Sequence, residues 1–189
     1  LEKFGGKCQV YALDLAAEMV VWTAEAMAES YPDITNTVHL SVCNAAALPF
    51  PDGFFDASFH FGGINLFDDM KGAIHEMARV VRDCGRVCFG DEGVAPWLRD
   101  SDYGKMAINN NRLWEAHPPL ANLPFSATEP HLSWVLGNCF YVIDFAVNAA
   151  GPIMNPGVPH KGIHGGSMET RYHGQLEGVT KESRDFVYE

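Results

Sequence analysis

The feature that most constrains the fold is an alternation between short apolar segments and helix-like segments over residues 8 to 91. The apolar segments end in polar or glycine residues, and they are Cys8–Asp14, Val38–Cys43, Phe55–Phe61 and Arg86–Gly90. Strands separated by helices pair in parallel through right-handed crossovers. The pattern therefore predicts an α/β fold, doubly wound, with a mostly parallel sheet and helices on both faces.

Two helices are predicted within this alternation. In 16–30 the side chains of Met19, Val20, Thr23, Ala26 and Met27 fall on one side at a period of 3.6, and a TyrPro pair ends the segment. The second helix starts at Asp68 and Asp69, which supply a cap, and its apolar stripe is Ile74, Met77, Ala78 and Val81. Arg79 and Arg82 are expected near its C-terminal end, where the helix dipole favours cations.

The second half of the chain has a different pattern. Residues 96–114 are compatible with a helix, and several prolines interrupt the segment between this helix and residue 131. His131–Val147 is rich in aromatic and β-branched residues, and Met168–Leu176 alternates more weakly. These two segments predict an antiparallel pair of strands at the sheet edge, joined by a glycine- and proline-rich loop.

Composition narrows the class of protein. The chain has 189 residues, 47% of them hydrophobic, and a formal net charge of -11 without a block of lysine or arginine, which favours a small-molecule ligand and disfavours nucleic acid. Its five cysteines, among them Cys84 and Cys88, suit buried free thiols in a reducing compartment better than a disulfide framework. Neither an apolar stretch of about 18 residues nor a signal peptide is present, so we expect a cytoplasmic protein without a membrane span, and a homo-oligomer remains open.

Polar groups and glycines follow the predicted strands where ligands bind in parallel sheets, beyond the carboxyl ends. They are Asp14, Asn44, the Phe61–Asn65 loop and Asp91. Each also has a structural interpretation: Asp14 as a helix cap, Asn44 as a turn residue, and the glycines of the loop as strand terminators. The residues alone leave these alternatives open.

Three segments in this order resemble the class I S-adenosylmethionine-dependent methyltransferases, particularly the ubiquinone and menaquinone C-methyltransferase group. They are YALDLAAEM, NAAALPFPDGFFDASF and HEMARVVRDCGRVCFGD, which match the family's acidic strand end, its LeuProPhe loop and its Glu-containing helix with the following strand. The resemblance covers about half the chain, from Gln9 to Asp91. It implies a Rossmann-like fold with S-adenosylmethionine as cofactor.

The resemblance also implies a role for each matching residue. Asp14 would bind both ribose hydroxyls, and Leu15 and Met19 would pack against adenine, although Met19 also suits a core position. Asn44 stands where the family has an acidic residue that takes the adenine amino group, and Ala45 beside it would offer its backbone. Phe61, Gly62 and Gly63 belong to the loop that would run under the methionine part of the cofactor.

One part of the family pattern is missing. The glycine-rich first motif and its strand, which lies in the middle of the family's sheet, would precede Leu1. Without that strand, two others would present unpaired backbone groups inside the sheet. We therefore expect residues 1–189 to form a single methyltransferase-like domain that is incomplete at its N-terminal side and lacks its first strand, with a cofactor-binding half (1–91) and a substrate and edge half (92–189).

The predicted reaction is methyl transfer to a small-molecule acceptor by in-line displacement. Candidates for a base, needed only for a proton-bearing acceptor, are His60, Asp91 and His117. Side chains that would line an aromatic substrate pocket, or simply pack in the core, are Trp97, Tyr103, Trp114, Trp134 and Phe140. A non-catalytic binding or assembly module and an NAD-dependent oxidoreductase are the alternatives. No metal is expected, because the histidines of the HKGIH segment and His173 lack accompanying carboxylates or cysteines.

Overall fold

The computed structural model describes residues 8–34 and 37–152, and the backbone of two further strands at 157–161 and 167–171. The chain divides into two compact units, Leu1–Pro152 and Ile153–Glu189. Whether the whole chain acts as one domain stays a prediction.

The first unit contains six strands and three α-helices within its described residues. In chain order they are β1 (Val10–Asp14), α1 (Ala17–Ser30), β2 (Val38–Val42), β3 (Phe55–Phe61), α2 (Met70–Arg79), β4 (Val81–Glu92), α3 (Asp102–Asn110), β5 (Ala127–Val135) and β6 (Phe140–Val147). Short 3-10 turns lie at Pro32–Ile34, Ile64–Leu66, Pro96–Leu98, Arg112–Glu115 and Leu120–Asn122. In the second unit, β7 (Gly157–Lys161) and β8 (Ser167–Arg171) form an antiparallel hairpin.

The strands of the first unit form two sheets. Strands β1 and β2 pair in parallel, with Val10 opposite Val38 and Asp14 opposite Val42. The other sheet has the order β3-β4-β6-β5, in which β3 and β4 are parallel and the β4–β6 and β6–β5 pairs are antiparallel. The predicted α/β fold with a mostly parallel sheet and an antiparallel part is confirmed. Among the described residues, no backbone ladder joins β1 or β2 to β3.

The pairing predicted for the edge hairpin is wrong. Residues 131–147 do not form one strand; they belong to β5 and β6, which pair with each other. Residues 172–176 of the other predicted strand lie outside the described residues. The turn between them has positive φ angles at Leu136 (49°), Gly137 (69°) and Asn138 (62°), a conformation that reverses the chain within a run of strand-forming residues. Met168 pairs instead with the short strand β7, inside the segment predicted to be a loop.

Two element boundaries also differ from the prediction. Helix α2 ends at Arg79, so Val81 and Arg82 belong to β4, which is longer than expected. The helix expected over 96–114 is reduced to α3, because turns at both ends replace helical structure.

The hydrophobic core lies between α2 and one face of the four-stranded sheet. Its fully buried side chains include Ile74 of α2, Phe89 of β4 and Ile143 of β6. The opposite face carries Phe59 and Phe61, which are 80% and 54% exposed. Helix α1 likewise has no buried residue, so the apolar stripe predicted for it is only partly covered.

Arg79 fixes the loop between β2 and β3 to helix α2. Its guanidinium donates to both carboxylate oxygens of Glu76 (2.6 and 2.8 Å), to the carbonyls of Phe50 (2.9 Å) and Leu48 (3.1 Å), and to Asp52 (2.6 Å). Glu76 in turn accepts the backbone N–H of Leu48 at 2.7 Å. The LeuProPhe loop and the Glu-containing helix are therefore one hydrogen-bonded unit, which positions the loop that begins at Asn44.

Candidate functional site

The candidate site lies where β1, β3 and β4 end. Asp14 is the last residue of β1, His60 precedes the last residue of β3, and Asp91 lies near the end of β4. The charges of Asp91 and Asp14 both act on the His60 imidazole, so the three side chains are within electrostatic reach of one another. The structure thus brings together at one edge three residues from the predicted set.

The Asp14 carboxylate is exposed and accepts a backbone N–H at the start of α1. Its Oδ1 accepts the backbone N–H of Ala16 at 2.8 Å, just before α1 begins. This contact uses one lone pair of a group that can accept about four hydrogen bonds. The cap interpretation and the ligand interpretation are therefore compatible, since the remaining oxygen sites face solvent.

Two apolar side chains beside Asp14 are exposed. Leu15 is 73% exposed and Met19 is 45% exposed, so Met19 is not a core residue within the described part of the chain. Asn44 is exposed after β2, and its Oδ1 accepts the N–H of Ala46 at 2.9 Å in a local turn. Ala45 is half-buried in that turn. Asn44 thus serves as a turn residue, and the second lone pair of its Oδ1 is left to accept another hydrogen bond.

The glycine loop after β3 is open on its outer side. Gly62 and Gly63 have φ angles of 79° and 93°, in the left-handed region that side chains disfavour, and a Cβ at either position would meet nothing within 4 Å. The Gly62 N–H donates to the Gly90 carbonyl at 2.9 Å, which ties the loop to β4. Phe61 stacks on Phe140 of β6 with ring centroids 5.8 Å apart.

A buried polar network that the sequence analysis did not identify holds this loop from below. Asp91, which is 0% exposed, accepts the backbone N–H of Asn65 (2.6 Å) and that of Glu92 (2.8 Å). The Asn65 side-chain amide donates to the Glu92 carbonyl at 2.8 Å, and its Oδ1 accepts the hydroxyl of Tyr141, also 0% exposed, at 2.8 Å. Sequence distance hid the Tyr141 contact, because it joins residues 76 positions apart.

The network sets the ionisation of its acidic members. Burial acts to raise the pKa of Asp91, but hydrogen bonds from Glu92 and from the backbone of Asn65 and Gly63 outweigh it and lower that pKa. The pKa of Glu92 is raised, because its carboxyl shares a hydrogen bond with Asp91 and is partly buried. Asp91 is therefore an ionised hydrogen-bond acceptor at neutral pH, and its complete burial keeps it from contact with an acceptor molecule.

His60 is half-buried against Phe67, with ring centroids 5.1 Å apart. Burial lowers the pKa of His60, although Asp91, a hydrogen bond with the Gly62 backbone and Asp14 act in the opposite direction. Its Nε2 is buried without a hydrogen-bond partner among the described residues. The imidazole therefore lies on the core face with Phe89, while Phe59 and Phe61 on either side of it are exposed on the opposite face. The third candidate, His117, is exposed on the loop after α3.

The aromatic side chains of the second half form two separate ring clusters. Trp134 packs edge-on against Tyr141 (6.4 Å) and Trp97 (5.9 Å). Phe140 instead contacts Trp114 (6.4 Å) together with Phe61. Tyr103 lies apart from both, with its hydroxyl on the Gly137 carbonyl at 3.1 Å. The second cluster borders the glycine loop.

Metal ligands and thiols add no further site in the described residues. No group of three or more His, Cys, Asp or Glu side chains is arranged to hold a metal ion there, and the side chains of the HKGIH segment and His173 lie outside the described residues. The five cysteines are free thiols. Cys139 is buried as expected, but Cys84 is exposed at a turn with φ 62°, so the prediction of a buried thiol is wrong there.

The first unit has a Rossmann-like α/β fold, which it shares with solved methyltransferase structures. Residues 1–89 match the family model described as a methyltransferase domain. No curated protein matches the chain in sequence. Within the part that the structure describes, no helix has both the length and the apolar character needed to cross a bilayer.

Solved structures share the fold at low identity. One is a protein from Bordetella parapertussis (TM-score 0.58, 16% identity, covering 75% of this chain and 54% of that one). Another is geranyl diphosphate C-methyltransferase from Streptomyces coelicolor A3(2), solved with Mg²⁺, geranyl diphosphate and S-adenosyl-L-homocysteine. Its TM-score is 0.54 at 17% identity, and the match covers 78% of this chain and 64% of that one. A third is a SAM-dependent methyltransferase from Aquifex aeolicus, with a TM-score of 0.52 at 15% identity; the match covers 78% of this chain and 73% of that one. The chain thus spans less than two thirds of the length of the first two of these proteins.

Proposed function

We propose that this protein is a methyltransferase that binds S-adenosylmethionine at the carboxyl edge of its strands and transfers the methyl group to a small-molecule acceptor. The observation that carries the proposal is the exposed Asp14 carboxylate at the end of β1, together with the match of residues 1–89 to the methyltransferase domain. The match favours this function over a nicotinamide-dependent oxidoreductase, which would use a similar carboxylate for ribose.

The residues at this edge fit the cofactor. Asp14 would accept the ribose hydroxyls, and exposed Leu15 and Met19 would cover adenine, with the Asn44–Ala45 turn beside it. The open outer side of Gly62 and Gly63 leaves room for the methionine part next to Phe61. When bound, the cofactor supplies a methyl group already activated on a sulfonium.

The work left to the protein is orientation and exclusion of water. Since the leaving group is activated, holding the acceptor in line with the methyl group supplies most of the catalysis. A base is needed only for an acceptor that loses a proton. We place the acceptor next to the ring cluster of Phe61, Phe140 and Trp114. We also propose that the protein acts in the cytoplasm.

Binding of S-adenosylhomocysteine tests the proposal. At 100 times Kd a ligand stabilises the folded state by about 2.7 kcal/mol, and about 2–4 °C per kcal/mol for a chain of this size gives a rise in Tm of roughly 5–10 °C. Asp14→Asn keeps the acceptor for Ala16 but loses the charge, so we expect Kd to rise about 10- to 100-fold. The matched control Asp56→Asn removes a carboxylate that is 88% exposed and pairs with Arg82 at the other end of β3.

The outcomes separate the candidate functions. Stabilisation by NAD and not by S-adenosylhomocysteine would favour an oxidoreductase, and stabilisation by neither ligand would favour a binding or assembly module. An equal shift in wild type and Asp14→Asn would contradict the proposed role of Asp14.

We further propose that residues 1–189 belong to one methyltransferase-like domain whose sheet takes an additional parallel strand between β1 and β3. The support is the lack of a ladder between these strands in the described residues, which leaves β3 at the edge of its sheet. An intact mass of the protein isolated from its source well above 20.8 kDa would support this, whereas a mass of 20.8 kDa with cooperative unfolding would contradict it.

A further inference from the structure

The loop Gly62–Asn65 is held on one side and free on the other. Ile64 is 0% exposed and anchors the loop in the core, while the outer side of Gly62 and Gly63 is open. Asn65 uses its backbone N–H, its side-chain amide and its side-chain carbonyl in hydrogen bonds to Asp91, Glu92 and Tyr141. These bonds determine where the open backbone of the two glycines lies.

Tyr141 is the most distant member of this network. It lies in β6, it is 0% exposed, and its ring is packed against Trp134, so its hydroxyl has a fixed direction towards Asn65 Oδ1 at 2.8 Å. The Tyr141 side chain is on the core face of the sheet, whereas the glycines open outward, so it reaches the ligand side only through Asn65.

We propose that Tyr141 and Asn65 are positioning residues that set the glycine loop in the conformation that binds the amino-acid part of the cofactor. The inference rests on the proposed function, because it concerns the same site. Without the hydroxyl, Asn65 Oδ1 loses its donor in a partly buried setting, and the amide reorients to satisfy it. The loop backbone then shifts with Asn65, since the side chain and the backbone N–H of that residue are both held.

The test compares isosteric variants by calorimetric titration with S-adenosylhomocysteine at a temperature where each variant is fully folded. We expect Tyr141→Phe to raise Kd about tenfold, which corresponds to about 1.4 kcal/mol. The matched control is Thr128→Val, which removes a hydroxyl that donates to the Ala146 carbonyl at 3.1 Å in the same strand pair, at the end away from the site. This control should lower Tm and leave Kd unchanged.

A double-mutant cycle identifies the route. If Tyr141 acts through Asn65, the double variant Tyr141→Phe/Asn65→Ala should bind no more weakly than Asn65→Ala alone. A lower Tm with unchanged Kd in Tyr141→Phe would overturn the inference and leave a purely structural role, as would additive losses in the cycle. Failure of the wild type to bind would instead refute the proposed function.

Discussion

Replacing Arg79 by methionine tests whether the two family-like motifs form one structural unit. The change keeps an aliphatic chain but removes the donors to the carbonyls of Leu48 and Phe50 and to Glu76, whose side chain is only 19% exposed. Loss of the donor to each carbonyl lowers the free energy of unfolding by about 1 kcal/mol, and loss of the donors to the largely buried carboxylate of Glu76 lowers it by roughly a further 1 to 2 kcal/mol. Asp52 is 82% exposed and adds little.

The expected destabilisation is therefore about 3–4 kcal/mol, or a fall in Tm of about 6–16 °C. The matched control is Arg82→Met, because Arg82 (55% exposed) pairs only with Asp56 (88% exposed) and with the carbonyl of Asp83 among the described residues. A screened surface pair of this kind contributes less than about 1 kcal/mol. Differential scanning calorimetry of the two variants gives the comparison, and equal falls in Tm would refute the reasoning.

The pH dependence provides a second check. Hydrogen bonds from Arg79 hold the pKa of Glu76 below its ordinary value, despite some burial, and the Leu48 N–H adds to this. A carboxyl group with a lowered pKa in the folded state contributes stability that is present above the unfolded value, about 4.3, and is lost as pH falls through the folded pKa. The difference in stability between wild type and Arg79→Met should therefore shrink on acidification. A difference that grows would contradict the assignment.

Burial and exposure give three further predictions. Burial lowers the pKa of His60, so its ring should titrate below about 6.5 in an NMR experiment, and a higher midpoint would contradict this. The neutral ring's contribution to stability is then present above about 6.5 and is lost as pH falls through the folded pKa. Cys84 should be alkylated well before buried Cys139, as peptide mass mapping would show, and equal rates would argue against the turn at Cys84. Leu15→Ser should change stability by less than about 0.5 kcal/mol but weaken S-adenosylhomocysteine binding several-fold, and unchanged binding would remove Leu15 from the adenine site.

Local signals were sufficient where an element carried its own boundaries. β3 occupies the predicted residues Phe55–Phe61, because two glycines with positive φ, Gly53 and Gly62, flank an apolar run. Asp69 caps α2 as predicted by accepting the N–H of Gly72 at 2.7 Å. Both signals act within a few residues, so the sequence displays them directly.

Signals that join distant residues were not visible. The β5–β6 turn was missed because Leu136 is an unusual residue at positive φ, and the aromatic run on either side hid the reversal. Arg79 and Glu76 were recognised as part of a motif, but their partners 27 to 31 residues away were not. The same holds for Tyr141 and Asn65, whose contact depends on the register of β6 against β4.

These distant contacts explain how the two halves of the candidate site differ in rigidity. Arg79 holds the loop that begins at Asn44, and Tyr141 with Asp91 holds the glycine loop, so both are fixed by α2 and the four-stranded sheet. Asp14 and the exposed Leu15 belong to the smaller sheet and the start of α1, which contribute no buried side chain of their own among the described residues. Since fixed groups cost less entropy to bind than groups that must be ordered, much of the ordering on cofactor binding should occur in β1 and α1. Hydrogen exchange with and without S-adenosylhomocysteine should therefore protect amides of 10–30 more than those of 62–65, and the reverse pattern would show that the glycine loop is the mobile half.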